Sequence, residues 1–382
     1  MYSSLLLKIA LFILCTQKIF VSGENAAQAP DFHSNFESHS RRADALKTKN
    51  RAAAHSKKLK TGKSTTSQNA TSNLSLDNGT SAIVANTSLA ALEKKSSPYF
   101  GLSSGNIQKN GVYFGFLPDE GDAGGTRQTM AQINSALGAK SAAYGWYAQA
   151  KSGTTFDGSQ LLAVIDDVKA CNCVFQPAVM PTGGWKGLTS SDNSQAIAIA
   201  NVMKKFTDRG IPVWLRFAHE VNYYQTDGTY SGTASDFQAG WAVVAAACKK
   251  IAPEVKMWWT PNVADASNYA KYAPTDMSTV HLVGVDYYPK SLSTGTEFVN
   301  TMKKFHDTYA VQGRMFAIGE TGIAFSGSDS DKVSWLKQIL SAKSSLPNMI
   351  ACAWFNFQKD FDYRIVIPGG SSLTTTVKSV LV

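Results

Sequence analysis

The chain has 382 residues, a formal net charge of +9, and 44% hydrophobic against 17% charged residues. That apolar fraction can build a sizeable core and excludes a wholly disordered chain. The positive charge is uneven, because residues 24–98 hold 11 Lys and Arg against 6 Asp and Glu, whereas residues 99–382 hold 24 against 22. The second part therefore has no excess of basic residues typical of nucleic-acid binding, and we expect no nucleic-acid partner.

The first 23 residues predict a cleaved secretory signal. An apolar run from Leu5 to Leu14 is interrupted by one lysine and is too short for a bilayer, which takes about 20 apolar residues. Small residues Ser22 and Gly23 follow, as at a signal cleavage site, whereas a signal anchor is disfavoured by Lys18 just after the run. No later segment is long and apolar enough for a membrane helix, so we expect a secreted, extracellular protein without membrane insertion.

Residues 24–98 form a separate segment by composition. They are rich in Ser, Thr, Ala, Asn and Lys, have few large apolar residues, and show no sustained period, which predicts disorder. All the Asn-x-Ser/Thr sequons of the chain lie here, at Asn69, Asn73, Asn78 and Asn86. We interpret the segment as a glycosylated linker or pro-segment, and Arg41-Arg42 as either a processing site or ordinary linker charge.

Four cysteines remain after the signal: Cys171, Cys173, Cys248 and Cys352. In an exported protein an even number indicates one or two disulfides, with the pairing left open. The Cys-Asn-Cys spacing is too tight for a zinc ribbon, and no second pair of cysteines complements it. We predict no metal and no cofactor.

Residues 99–382 read as eight strands separated by helical stretches. The predicted strands are GVYFGFLP (111–118), SAAYGWYA (141–148), CVFQPAVMP (173–181), IPVWLRFAHE (211–220), VKMWWTPN (255–262), HLVGVDYYP (281–289), MFAIGETG (315–322) and IACAWFNF (350–357). Amphipathic stretches such as 194–210 and 234–252 lie between them. Eight such units favour a closed (β/α)8 TIM barrel over an open sheet, and GDAGG at 121–125 is not a dinucleotide-binding GxGxxG.

Two glutamates stand at the ends of predicted strands. Glu220 ends the fourth strand and Glu320 ends the seventh, where a TIM barrel places its chemistry. Paired carboxyl groups across a cleft are what glycoside hydrolysis requires, one as proton donor and the other as nucleophile or base. Either glutamate alone is equally compatible with an ion pair or a solvated strand end, so the pairing carries the prediction.

WLRFAHEVN (214–222), followed by a second glutamate in AIGETG, resembles glycoside hydrolase family 26, whose members are mostly endo-β-mannanases. The resemblance covers 99–382 in strand order and is tight around Arg216–Asn222 and Glu320; VGVDYYP and AWFNF match more loosely. It implies that Glu220 is the general acid/base and Glu320 the nucleophile of a retaining reaction. Retention requires carboxyl groups about 5–5.5 Å apart, and inversion about 6.5–9.5 Å.

Strand alternation predicts where the residues around Glu220 point. Residues 214, 216, 218 and 220 should share the inner face, so Arg216 would lie below Glu220 and hold Glu320 or Asp286 ionised, or form a structural ion pair. The resemblance implies that His219 hydrogen-bonds the sugar or the nucleophile, with a positioning role as the alternative. Asn222 is a further binding candidate that loop structure alone would also explain.

Aromatic residues complete the predicted groove. The resemblance implies a tyrosine that hydrogen-bonds the nucleophile, for which alternation favours Tyr288, on the face of Asp286, over Tyr287. It also implies that Trp354 is a platform under the sugar at the cleavage subsite. Further stacking candidates are Trp146, Trp185, Tyr223, Tyr224 and Trp259, whereas Trp214 and one of Trp258 and Trp259 fit ordinary core packing.

The expected substrate is a β-linked polysaccharide, first of all β-1,4-mannan, cleaved internally by a monomer. A β-1,3/1,4-glucanase or xylanase is the alternative, because YQTDGTYSGT (224–233) has tyrosines where family mannanases often carry tryptophans. An inactive carbohydrate-binding barrel predicts loss of one glutamate or its supports, and neither is lost. An aldolase-type barrel has a candidate in Lys290 but no phosphate-binding glycine loop.

Overall fold

A computed structural model describes residues 99–121 and 124–382. The predicted signal (1–23) and the predicted glycosylated segment (24–98) lie outside the described residues, so both remain predictions. Across the described part, no helix combines the length and the apolar composition that crossing a membrane requires.

The described residues form a closed barrel of parallel strands surrounded by helices. The strands are β1 Gln108–Lys109, β2 Val112–Pro118, β3 Ala143–Gln149, β4 Val174–Met180, β5 Trp214–Phe217, β6 Lys256–Trp259, β7 Leu282–Val283, β8 Met315–Ile318 and β9 Met349–Asn356. The helices are α1 Met130–Leu137, α2 Ser159–Leu162, α3 Ile165–Cys171, α4 Ser194–Thr207, α5 Val221–Tyr224, α6 Ala234–Ile251, α7 Ala266–Lys271, α8 Glu297–Tyr309, α9 Asp329–Ser341 and α10 Ser372–Leu381. Short 3-10 turns occupy Met277–Thr279 and Ala342–Ser344.

Barrel closure is made by the first and last of the eight parallel strands. β2 pairs with β3 on one side and with β9 on the other, where the register runs from Tyr113 opposite Ala351 to Pro118 opposite Asn356. The predicted (β/α)8 barrel is therefore confirmed, with all eight predicted runs in the predicted order. β1 was not predicted; it forms a short antiparallel hairpin with β2 through Lys109 and Val112.

The outer helices follow from the apolar stretches between the strands. α4 and α6 begin at the first residue of the predicted stretches, at Ser194 and Ala234. At the start of α6, the Thr233 hydroxyl accepts the Asp236 N–H and the Asp236 carboxylate accepts the Thr233 N–H, a capping box that satisfies two end donors. The faces that include Ile199, Val202, Trp241 and Val244 pack on the outer side of the strands.

The inside of the barrel has two apolar layers. The lower layer contains Trp214, Trp258 and Leu282, and is closed by the segment before β1, where the Trp214 indole N–H donates to the Phe100 carbonyl at 3.1 Å. The upper layer contains Leu117, Tyr147, Ala178, Tyr288 and Phe355. Polar side chains between and above these layers form the site described below.

One disulfide lies within the described residues. Cys171 at the end of α3 is bonded to Cys173, and Cys248 and Cys352 are buried free thiols. The result agrees with the lower of the two numbers of bridges that the cysteine count allowed.

Candidate active site

The backbone after β5 leaves the strand conformation, and this break brings two consecutive residues to one site. Ala218 and Glu220 have φ of 52° and 50°, in the left-handed region that non-glycine residues rarely occupy. Such conformations cost on the order of 1–3 kcal/mol each and are held by surrounding contacts. Here the Ala218 N–H donates to Val179 O at 2.9 Å and the Glu220 N–H to Thr260 O at 2.7 Å.

Strand alternation alone therefore did not describe this segment correctly. The predicted inner face holds for Trp214 and Arg216, but Ala218 packs in the outer core and the strand ends at Phe217. The left-handed residues reverse the alternation, so both His219 and Glu220 reach the carboxyl end of the barrel.

Glu320 follows β8 and has polar partners on both carboxylate oxygens. Its Oε2 accepts the hydroxyl of Tyr147 at 2.7 Å and that of Tyr288 at 3.2 Å. Its Oε1 lies 2.8 Å from Arg216 Nη1 and 3.4 Å from His219 Nε2. Glu320 is 1% exposed, so these groups replace water around its charge.

Arg216 connects this glutamate to a second carboxyl group. Its Nη2 pairs with Asp286 Oδ2 and its Nε donates to Thr260 Oγ1 at 3.3 Å. Asp286 Oδ1 accepts the Glu320 N–H at 3.2 Å. A Cβ at Gly319 would clash with the guanidinium, so only glycine before Glu320 lets the arginine fork lie there.

Glu220 has a less polar setting. Its Oε1 accepts the Asn262 amide at 3.0 Å, and Oε2 has no hydrogen-bond partner within the described part of the chain although the side chain is only 1% exposed. Asn222 Oδ1 accepts the Asn262 N–H at 2.8 Å, and Asn222 Nδ2 donates to Asn262 O at 2.9 Å. The structure therefore places Asn222 behind Asn262, and its contacts are those of a residue that orients the glutamate's partner.

The two glutamates differ in ionisation for physical reasons. Burial, and then the charge of Glu320, raise the pKa of Glu220 to about 8. Burial also acts on Glu320, but the Arg216 charge and the Tyr147 hydrogen bond outweigh it, and the net pKa is lowered. Burial lowers the pKa of His219 to about 3, so this imidazole is neutral at pH 7.

One guanidinium cannot offset three carboxylates in a dry site. Burial raises the pKa of Asp286 well above its usual range despite Arg216. Glu320, with an ion pair and two phenol donors, is the carboxyl of the three whose pKa is lowered. The site thus pairs a protonated Glu220 with an ionised Glu320 at neutral pH, the division of states that separates an acid from a nucleophile.

Several predicted stacking residues lie away from these carboxyl groups. Trp354 is fully buried on the outer side of β9 and donates to Tyr363 O at 2.7 Å, so the platform predicted for it is wrong. The inner neighbour Phe355 instead reaches the upper layer, with its ring centroid 5.9 Å from that of Tyr288. Alternation is the reason, because adjacent residues on a regular strand face opposite sides.

The other predicted platforms are also packed. Trp146 lies on the outer side of β3 and donates to Gln160 O at 3.2 Å, and Trp185 packs against Phe217 and Phe237. Trp259 packs on the outer side against α8, Tyr224 is buried beside His219, and Tyr223 is half-buried against Tyr224. None of the three buried tryptophans presents an open ring face, which corrects their assignment as stacking surfaces.

Two residues of the site were missed in the sequence. Tyr147 has the shortest hydrogen bond to Glu320 Oε2, and Asn262 donates to Glu220. Both stand at the carboxyl ends of predicted strands. The aromatic residue predicted from this strand was Trp146. Alternation places its neighbour Tyr147 on the opposite face, so the same rule identifies Tyr147 as the residue that points into the barrel.

No family model matches the sequence, and no curated protein matches it. Many solved structures resemble the fold. Three of them are a double mutant of the Cellulomonas fimi endo-β-1,4-mannanase (15% identity, TM-score 0.52, covering 71% of this chain and 70% of that one), a modular Cellulomonas fimi endo-β-1,4-mannanase described among glycoside hydrolase family 26 mannanases (15%, 0.50, 71% and 70%), and a fungal β-1,4-galactanase (14%, 0.50, 69% and 98%).

At these identities the likeness concerns the fold. The resemblance inferred from WLRFAHEVN and AIGETG is therefore confirmed at that level: this chain folds as a (β/α)8 barrel similar to that of glycoside hydrolase family 26.

Proposed function

We propose that this protein is a retaining glycoside hydrolase that cleaves a β-linked polysaccharide, with Glu220 as acid/base and Glu320 as nucleophile. The observation that carries the proposal is the pair of buried glutamates at one end of the barrel, where Arg216 lies 2.8 Å from Glu320 Oε1 and the Asn262 amide donates to Glu220 Oε1 at 3.0 Å. Burial raises the pKa of Glu220, whereas the Arg216 charge outweighs burial and lowers the pKa of Glu320, which agrees with an acid and a nucleophile. The similar folds of mannanases and a galactanase support the same reaction class.

The proposed reaction has two displacements. In the first, Glu320 forms a bond to the anomeric carbon while Glu220 gives its proton to the departing glycosidic oxygen. In the second, the Glu220 carboxylate takes a proton from water, which attacks the same carbon and releases Glu320. Asn262 holds one oxygen of Glu220, which leaves Oε2 to carry the proton.

Mannan is our first candidate substrate, and β-glucan or xylan the alternative. The two tyrosines of the 224–233 loop are buried against His219. Tyr230 donates to His219 O at 3.2 Å, and the Tyr224 ring lies 5.4 Å from the His219 ring. These two tyrosines therefore position His219, and we do not assign them the role of the tryptophans that family mannanases often carry in this loop. Secretion and a monomeric state complete the proposal.

The experiment that tests the proposal is a panel of mannan, galactan, β-glucan, xylan and chitosan, with NMR of the first products. We expect hydrolysis of one β-glycan and initial products that keep the β-configuration. Inverted products would remove Glu320 as nucleophile. No hydrolysis of any glycan, together with specific binding of one, would favour the inactive carbohydrate-binding barrel.

The pH dependence of kcat/KM is expected to be bell-shaped. Activity needs ionised Glu320, so it falls as the pH drops through the lowered pKa of that residue, below the usual range of a glutamate. It also needs protonated Glu220, so it falls as the pH rises through about 8. Initial rates at substrate concentrations well below KM measure both limbs, and a basic limb near pH 5 would contradict the assigned environment of Glu220.

A further inference from the structure

The two oxygens of Glu320 have chemically different partners, a feature that the proposed function does not by itself explain. Oε1 lies against the buried guanidinium of Arg216, and Oε2 accepts two neutral phenols. Of these phenols, Tyr147 is the nearer at 2.7 Å, against 3.2 Å for Tyr288. Tyr147 comes from β3 and Tyr288 from the segment after β7, so they approach from different sides of the barrel.

On this basis, and resting on the proposed function, we propose that Oε2 is the attacking oxygen and that Tyr147 is a positioning residue for it. The Tyr147 hydroxyl holds Oε2 as a carboxylate before attack and stabilises it again when it is released from the sugar. Tyr147 thus acts mainly on the second half of the reaction.

The choice of Oε2 follows from the cost of losing each partner. If Oε1 attacked, it would become the ester's singly bonded oxygen, a poor acceptor, and the fully buried Arg216 guanidinium 2.8 Å away would lose its partner in a dry site. If Oε2 attacks, Oε1 becomes the ester carbonyl oxygen, which keeps most of the remaining partial negative charge and still faces Arg216. The two donors to Oε2, the phenols of Tyr147 and Tyr288, are uncharged, and weakening their hydrogen bonds costs less than depriving a buried guanidinium of its partner. The oxygen held by tyrosines is therefore the one that is free to form a bond.

The proposed reaction replaces a glycosidic bond by an ester bond to Glu320, which the second step hydrolyses. In the first step a lone pair of Oε2 forms the C–O bond to the anomeric carbon, and the electron pair of the broken glycosidic bond goes to the leaving oxygen, which takes the Glu220 proton. Glu320 changes from carboxylate to neutral ester, and Glu220 from acid to carboxylate. In the second step water attacks the anomeric carbon and gives a proton to the Glu220 carboxylate, the ester bond breaks, and its electron pair returns to Oε2, so both glutamates regain their starting states.

The hydrogen bond from Tyr147 follows this charge. It stabilises the carboxylate and has less to stabilise in the ester, so it opposes the first step and assists the second. The Tyr147 ring also packs beside His219, with the two ring centroids 5.6 Å apart. Its ring is packed in the upper layer, which fixes where the hydroxyl points.

The test is Tyr147→Phe, measured on an aryl β-glycoside with a good leaving group, for which the second step limits kcat. We expect kcat to fall about 10-fold or more, whereas kcat/KM measured above the acidic limb should not fall, so that KM falls as well. The acidic limb of kcat/KM should move up by about one pH unit, because the ionised form of Glu320 loses a donor. Equal losses in kcat and kcat/KM with an unmoved acidic limb would overturn the proposal.

Tyr144→Phe is the matched control. It removes a hydroxyl from the same strand, but from the outer side, where it donates to Asp167 Oδ2 at 3.1 Å. We expect it to keep the wild-type pH profile and KM. If Tyr147→Phe behaves like this control, the proposal is wrong.

A second measurement separates this inference from the proposed function. An activated 2-deoxy-2-fluoro glycoside should label wild-type Glu320, and the label should leave more slowly from Tyr147→Phe. A wild type that is neither labelled nor active would refute the proposed function, whereas equal release rates would refute only the role of Tyr147. If Tyr147→Phe does not fold, 3-fluorotyrosine at position 147, a stronger donor, should shift the acidic limb down, and no shift would refute the role.

Discussion

Glu320→Gln should abolish hydrolysis, with kcat reduced by on the order of 10⁴-fold or more. The amide keeps the shape of the carboxylate but cannot form the glycosyl ester, and it cannot neutralise Arg216. Rates on the best substrate from the glycan panel measure the effect. Residual activity above about 1% of wild type would show that Glu320 is not the nucleophile.

The control for this variant addresses folding. Removing one partner of a buried ion pair costs about 3–5 kcal/mol, so the thermal unfolding of Glu320→Gln has to be followed beside its activity. Glu254→Gln makes the same chemical change at an exposed position and should leave both activity and unfolding unchanged. If Glu320→Gln is unfolded, Glu320→Asp keeps the charge and should remain inactive because its shorter side chain retracts the nucleophile.

Glu220→Ala should produce a loss that depends on the leaving group. For a polysaccharide the departing alkoxide needs a proton, and the loss of general acid catalysis lowers kcat/KM by about 10²–10⁴-fold. For an aryl glycoside with an acidic phenol, bond cleavage needs little proton transfer, so kcat/KM should stay near wild type. The second step then lacks its base, and kcat falls.

Added azide distinguishes this account from a misfolded site. As a small anionic nucleophile it does not need Glu220 to activate it, so it should restore kcat of Glu220→Ala and give a β-glycosyl azide. It should not restore Glu320→Gln. An α-azide, or a uniform loss of activity on all leaving groups, would assign Glu220 another role.

Most of the fold could be read from the sequence because the strands are short, apolar and evenly spaced. All eight predicted runs contain a barrel strand, and α4 and α6 begin at the predicted residues. The hairpin strand β1 could not be predicted, since two residues carry no periodic signal. The predicted disorder and sequons of 24–98 rest on composition alone.

The site was predictable where one residue type has few other uses. Charged side chains are rarely buried unless they are paired, so charged residues in or at the ends of apolar strands indicate a site. This pattern identified Glu220, Glu320, Arg216 and Asp286. Aromatic residues also commonly pack in the hydrophobic core, and this is where Trp146, Trp185 and Trp354 lie. Their type alone did not reveal which side of the strand they occupy.

The sequence by itself determined the order of strands and helices, the two glutamates, and their place at the carboxyl end of the barrel, because these depend on local periodicity. Only the tertiary structure decided how the site is charged and which tyrosine contacts Glu320. The left-handed residues Ala218 and Glu220 overrode strand alternation there, and the Arg216 charge and the Tyr147 hydrogen bond on Glu320 separated the two buried glutamates in pKa. Both effects arise from atoms distant in the chain that meet when the barrel closes.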